Sequence, residues 1–170
     1  MAEKRADSPI RIFITGGTFD KQYDELKGAL YFKDSHLPEM LRLGRARLLV
    51  EIRTLMMIDS LYMTDADREI IVEQCRAVPE SRIVITHGTD TMAATARALA
   101  RRVPGKTIVL VGALAPARFS ESDASFNLGM AFATAQVAEP GVYITMSGSV
   151  FRADKVVKDR AKGAFVPLGA

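Results

Sequence analysis

Five short runs of aliphatic and β-branched residues, Ile10–Ile14, Leu48–Leu55, Arg82–Thr86, Thr107–Val111 and Val142–Met146, recur along the chain with longer mixed segments between them. Apolar runs without polar alternation are what strands buried on both faces require. The segments between them carry a helical period. Thr64 and Asp67 read as an N-cap pair ahead of a stripe of Ile71, Cys75 and Val78; Met92, Ala96, Leu99 and Val103 form a second stripe, and Phe126, Met130, Ala133 and Val137 a third. Strand and helix therefore alternate. Joined by right-handed crossovers, such units build a largely parallel sheet with helices on both faces.

The expected fold is α/β: a single three-layer domain over residues 1–170, with a mostly parallel sheet in flavodoxin-like or Rossmann-like order. A chain of 170 residues, 48% of them apolar, suffices for one well-buried core and would be cramped as two. The 23 Lys and Arg against 20 Asp and Glu are interspersed, which argues against a nucleic-acid stripe; only RLGRARLLVEIR, Arg42–Arg53, is locally basic, and it reads as a solvated edge around a strand. No apolar run approaches membrane-spanning length and the charged start MAEKRADSP opens no signal-peptide core, so a soluble cytoplasmic protein without membrane partners is expected. Cys75 is the single cysteine and lies on a helical apolar stripe, the position of a packed thiol. His36 and His87 have no second ligand at metal-binding spacing, so no metal is expected.

In a parallel sheet, ligands sit beyond the carboxyl ends of the strands. Five loops belong to that rim: TGGTFD (15–20), IDSLYM (58–63), THGTDT (86–91), VGALAP (111–116) and SVFRADKVVKD (149–159). Between them they carry the hydroxyls of Thr15, Thr18, Ser60, Thr86, Thr89 and Thr91, the carboxylates of Asp59 and Asp90, and the amine of Lys158. That inventory suits a small polar substrate bearing both an amine and a carboxylate. Each motif has an ordinary alternative. Gly16-Gly17 would serve as a plain tight turn or as a weak anion cradle. Thr89-Asp90 would serve as a helix N-terminus, capped by the threonine and favoured by the dipole, each effect worth about 1 kcal/mol. Lys158, within the charged run 155–162, would be a surface lysine. Gly105-Lys106-Thr107 precedes a strand instead of opening a helix, which excludes a P-loop.

Read together, the loops resemble the amino-terminal half of the bacterial type L-asparaginases, amidohydrolases with a threonine nucleophile. ITGGTFD is similar to their first threonine motif, ITHGTDTM to their second, and VGALAP followed by SDASFNL to the strand and loop after it. The likeness runs from about Ile10 to Lys158.

The resemblance implies Thr18 as nucleophile, with Thr89, Asp90 and Lys158 as the second catalytic group. It places the substrate's α-carboxylate on Ser60 and its α-amine on Asp90, with Asp59 and Gly88 completing the binding site. Tyr23, on the mobile loop after the first motif, would help activate Thr18, and the backbone N–H groups of Thr89 and Ala113 would form the oxyanion hole. The implied reaction is a double displacement that needs no cofactor: Thr18 attacks the amide, ammonia leaves, and water releases aspartate. An ion-paired lysine is a poor proton acceptor at neutral pH, so Lys158 takes an orienting role, leaving Tyr23 or a bound water as the base. The family normally continues into a smaller second domain, which is expected to be absent here, and Leu61 and DRAKGAF depart from its usual polar residues. A homo-oligomer, dimer or tetramer, is therefore expected to shield the rim, with L-asparagine as substrate and no nucleic acid. The rival readings are a non-catalytic amino-acid-binding or assembly module, and an ammonia-supplying subunit of a tRNA-dependent amidotransferase.

Overall fold

The structure is a computed structural model and describes residues 8–169. Along the chain it contains β1 (Ile10–Gly16), the hairpin strands β2 (Lys21–Asp24) and β3 (Ala29–Phe32), α1 (Leu37–Leu43), β4 (Val50–Ile58), α2 (Asp65–Ala77), β5 (Arg82–Thr86), α3 (Met92–Arg102), β6 (Thr107–Val111), α4 (Ala124–Val137), β7 (Gly141–Met146), β8 (Ser149–Arg152), β9 (Val156–Asp159) and β10 (Ala164–Pro167). Six strands form the main sheet in the order β4-β1-β5-β6-β7-β8. All neighbours are parallel except β7 and β8.

Strand alternation divides the core into two layers. Ile83 and Ile85 of β5 and Ile108 and Leu110 of β6 point to one face, where Ile71, Val72 and Cys75 of α2 and Met92, Ala96 and Leu99 of α3 cover them. Val84, Val109 and Val111 point to the other, against Leu37 of α1 and Ala124, Leu128, Ala131 and Phe132 of α4. Burying each such side chain contributes about 1.5–3 kcal/mol, so β5 and β6 at the sheet centre are the best-anchored platform for a site at their ends. The expected α/β three-layer architecture is present. So is the Thr64 cap, as a reciprocal capping box: the Thr64 hydroxyl accepts from the Asp67 N–H while the Asp67 carboxylate accepts from the Thr64 N–H.

Three expectations are corrected. The third helical stripe, Phe126, Met130, Ala133 and Val137, is not the core face: Phe126, Ala133 and Val137 are exposed, and α4 buries Ala124, Asn127, Leu128, Ala131, Thr134 and Ala135. The helix is apolar on most sides, so period alone could not choose its inner face. The second strand is not covered throughout. β4 is an edge strand whose residues Glu51 to Thr54 are exposed, and it starts at Val50 and runs on to Ile58. Finally, the fifth rim segment, 149–159, is not a loop: it supplies β8, the sixth strand of the sheet, and β9, which takes in part of the charged run 155–162 and pairs with β10 in an antiparallel hairpin.

Candidate active site

β1, β4, β5 and β6 end together, and their register fixes which loop residues meet. Gly16 lies opposite Ile58, and the Gly17 N–H donates to the Ile58 carbonyl at 2.9 Å, which ties the first loop to the second. Gly17 has φ +81°, a conformation L side chains rarely adopt, and a Cβ there would run into the backbone N and Cα of Gly88. The first and third loops therefore touch backbone to backbone, with Thr18 directly after one glycine and Thr89 directly after the other. Gly88 is equally confined: a Cβ would stand 2.5 Å from Ser60 Oγ. Three loops from three strands converge only because two positions lack a side chain.

Thr18 opens a single 3-10 turn, Thr18–Asp20, and is half-buried. The next residue, Phe19, is fully buried in the core, and its carbonyl accepts from the Ala117 N–H at 3.2 Å. Ser60 also sits in a 3-10 turn, Ser60–Tyr62, which Asp59 caps by accepting from the Leu61 N–H at 3.0 Å. The Ser60 hydroxyl is buried and accepts from the Thr91 N–H at 3.3 Å, while the Thr91 hydroxyl donates to the Ser60 carbonyl at 2.8 Å.

The helix-cap alternative for Thr89-Asp90 does not hold. The N-cap of α3 is Thr91, one residue past the pair. Thr89 and Asp90 instead face Lys158, whose Nζ donates to Thr89 Oγ1 at 2.8 Å and to Asp90 Oδ1 at 2.7 Å. Lys158 arrives there on β9, opposite Phe165 of β10, and Phe165 packs on the core. Its side chain is only 15% exposed, so the surface-lysine alternative fails as well.

The rim carries a second ion pair that sequence reading missed. Lys21 Nζ lies 2.5 Å from Asp59 Oδ2. Burial works to raise the Asp59 carboxyl, but hydrogen bonds from Lys21 and the Leu61 N–H, with the charges of Lys21 and Lys158, hold it below its usual range. No spacing signal announces this partner, because 38 residues separate the two. Thr86 and Thr15 do not belong to the rim surface: both are fully buried, and the Thr15 hydroxyl donates to the Thr86 carbonyl at 2.7 Å. His87 supports the third loop from below. Its Nδ1 is 2.7 Å from the Gly88 carbonyl and its Nε2 2.8 Å from the Thr95 hydroxyl, which assigns the ring proton to Nδ1. Burial, against the opposing effect of that carbonyl, pushes the ring down to about 4.

Thr89 and Ala113 come off neighbouring strand ends, since Thr86 pairs with Val111. A Cβ on the intervening Gly112 would meet the His87 carbonyl at 2.6 Å and Thr89 Cγ2 at 3.1 Å, so these two turns are in close contact. Tyr23 stands on β2 of the hairpin after Thr18 and is 53% exposed. Among the described residues, no group of three His, Cys, Asp or Glu side chains is placed to hold a metal ion.

A family model described as "Asparaginase, N-terminal" matches residues 9–165. The chain belongs to that family. The asparaginase relatives it resembles include an L-asparaginase of Thermococcus kodakarensis, 33% identical over 159 residues that make up 88% of this chain and 47% of that protein. The solved structure of the thermostable L-asparaginase from that organism superimposes with a TM-score of 0.84 at 28% identity, covering 95% of this chain and 52% of that one. The structure titled "Probable Cytoplasmic L-asparaginase" from Campylobacter jejuni has a TM-score of 0.78 at 28% identity, over 89% of this chain and 50% of that one. A glutamyl-tRNA(Gln) amidotransferase subunit of Methanococcus vannielii is 35% identical over 150 residues, 83% of this chain and 34% of its own length. The chain thus spans between a third and about a half of the length of these relatives. No helix among the described residues is long and apolar enough to cross a membrane.

Proposed function

We propose that this chain carries the nucleophilic half of an L-asparaginase and hydrolyses L-asparagine to L-aspartate and ammonia. The observation that carries the reading is the placement of Lys158 on both Thr89 and Asp90, beside the glycine contact that brings the Thr18 loop to the Thr89 loop. Helix capping and surface solvation explain neither.

In this reading Thr18 Oγ attacks the side-chain amide carbon, the hydroxyl proton leaves through Tyr23 or a water, and the negative oxygen is met by the N–H groups of Thr89 and Ala113. Protonation of the amide nitrogen expels ammonia and leaves an aspartyl ester on Thr18. Water, oriented by Thr89 with Lys158 and Asp90, then cleaves the ester and returns the proton to Thr18. Ser60 holds the α-carboxylate and Asp90 the α-amine, with Gly88 and Asp59 completing the binding site. Side chains and water suffice for this chemistry. The rim also presents Tyr23, Leu61, Tyr62 and Leu114 to solvent, an apolar border that supports a second copy of the chain covering the site in a dimer or tetramer. The neighbour titled as cytoplasmic supports the same location here.

The amidotransferase subunit among the relatives supports a second reading, in which the same site releases ammonia for a partner enzyme. Purified chain given asparagine or glutamine separates the readings. Ammonia from asparagine alone, abolished by Thr18→Ala, establishes the hydrolase; ammonia that appears only with a partner chain present favours the second reading; saturable binding without product leaves a binding module.

A further inference from the structure

The residue two positions after Thr18 is a carboxylate with no access to solvent. Asp20 is 0% exposed, and one of its oxygens, Oδ1, accepts from the Ser35 hydroxyl at 2.8 Å and from the His36 N–H at 3.1 Å. Its other oxygen, Oδ2, is buried with no hydrogen-bond partner among the described residues. A carboxylate in that setting is costly, since one acceptor atom goes unsatisfied, and burial duly raises its carboxyl above the ordinary range. Folding alone would be served better by an apolar residue.

Its position gives the cost a purpose. Asp20 immediately precedes β2, and Ser35 and His36 follow β3, so the two hydrogen bonds close the base of the β2–β3 hairpin. The Ser35 hydroxyl also accepts from the Leu37 N–H at 3.2 Å, which fastens the clasp to the start of α1. Beyond the clasp and the Lys21–Asp59 ion pair at its first residue, the hairpin is thinly held: β2 and β3 pair only with each other among the described residues, and Tyr23, Leu26, Leu30 and Tyr31 are all exposed. A two-stranded hairpin by itself has marginal stability in water. On the Thr18 side, the Asp20 N–H donates to the Gly17 carbonyl at 3.1 Å and closes the 3-10 turn that carries Thr18.

We infer that Asp20 is a positioning residue, its Oδ1 clasping Ser35 and His36 so that the turn bearing Thr18 and the hairpin bearing Tyr23 are set as one unit. The inference rests on the hydrolase reading for its effect on turnover, and on the hydrogen bonds alone for its effect on the hairpin. Acceptor geometry, not charge, does the holding: the oxygen without a donor can be exchanged for an amide NH2 without breaking any hydrogen bond, so Asp20→Asn keeps the clasp and Asp20→Ala removes it.

The test uses the full chain and the variants Asp20→Ala, Asp20→Asn and Ser35→Ala, with amide hydrogen exchange and asparagine kinetics measured on each. Asp20→Ala is expected to speed exchange in residues 21–32 by about tenfold or more while β5 and β6 keep their protection. It is expected to lower kcat by about 10- to 100-fold with KM changed less than about threefold, the effect of a displaced nucleophile. Asp20→Asn should restore both readouts to within about threefold, and Ser35→Ala should fall between. Unchanged hairpin exchange in Asp20→Ala and Ser35→Ala overturns the clasp, as does an Asp20→Asn variant as damaged as Asp20→Ala. Should Asp20→Ala fail to fold, Asp20→Asn and Ser35→Ala decide by the same measures. A wild-type chain that releases no ammonia defeats the hydrolase reading and leaves the exchange result to judge the clasp by itself.

Discussion

Lys158 Nζ stands 2.7 Å from Asp90 Oδ1, a contact made across 68 residues of sequence by delivering a hairpin strand to the end of β5. The pair is only partly shielded, with side-chain exposures of 15% and 30%, and ion pairs in such settings contribute about 0–1 kcal/mol to stability. A separate β9–β10 hairpin is a large structure to maintain for so little. In the proposed reaction its value lies in the charge and donor it fixes beside Thr89.

Lys158→Met should therefore separate catalysis from folding. Removing one pre-set donor from a catalytic group typically costs about 10²–10³ in kcat. The melting temperature should move by no more than about 2–4 °C, the shift that 1 kcal/mol produces in a domain of this size. Lys158→Arg should not rescue turnover, because a planar guanidinium cannot place one donor on Thr89 Oγ1 and another on Asp90 Oδ1 as the ammonium does. Ammonia release and thermal melts on both variants check this. Activity within about threefold of wild type in the Met variant would remove Lys158 from the site.

The Ser60 hydroxyl accepts from the Thr91 N–H at 3.3 Å, and its proposed role is to hold the substrate's α-carboxylate. Such an interaction is made equally in the ground state and the transition state. Ser60→Ala is accordingly expected to raise KM by about tenfold and change kcat by less than about threefold, as measured by asparagine saturation kinetics. A fall in kcat at constant KM would place Ser60 in the chemical step instead.

Gly88 and Gly105 are expected to differ in what a methyl group does. At Gly88 a Cβ would stand 2.5 Å from Ser60 Oγ, whereas at Gly105, despite φ +79°, nothing lies within 4 Å. Gly88→Ala should cost about 1–3 kcal/mol by overpacking and also impair turnover. Gly105→Ala should cost about 1–2 kcal/mol through backbone conformation alone and leave kcat unchanged. Urea titrations paired with ammonia assays distinguish the two.

The strand-helix alternation and the Thr64–Asp67 cap were readable in sequence because both are local: period and short-range capping chemistry decide them. The same held for the threonine-bearing turns, whose glycines stand directly after apolar strands. What escaped is non-local. Lys21 and Asp59 are brought together by a hairpin folding over the sheet edge, and nothing in either neighbourhood anticipates it. Lys158 could be named from the family resemblance but not from its surroundings, because KVVKDRAKG has the composition of a solvated face. The inner face of α4 failed for the opposite reason. With Ala, Phe, Leu, Met and Val on nearly every side, its burial is chosen by the sheet it packs against, and the polar Asn127 is drawn inward to donate to the Gly112 carbonyl at 3.0 Å and accept from the Ser147 N–H at 3.0 Å.

Cys75 of α2 is buried in the core layer between the sheet and its helices, and burial pushes its thiol up to about 12. Since the thiolate is the reactive species, the folded chain should not react with a disulfide reagent at pH 8 over hours and should react at once in denaturant. Rapid labelling of the native protein, read by absorbance, would contradict the packing around α2.

Both histidines make the fold acid-sensitive above the range in which carboxylates titrate. His87 is driven down to about 4 by burial, and His36 is lowered as well, by burial first and then by the charge of Arg118. In each case the folded state keeps the neutral ring, so between the unfolded value near 6.5 and the lowered folded value the unfolded chain binds more protons. Stability is therefore complete above pH 6.5 and declines as the pH falls toward 4, with His87 contributing roughly 3 kcal/mol of the loss at about 1.4 kcal/mol per unit. Urea unfolding at intervals from pH 7 to pH 4 measures the slope. In His87→Gln, whose new side chain does not titrate, the decline should shrink by the part owed to His87, and a slope equal to the wild type's would show that the ring beneath Gly88 is not held neutral.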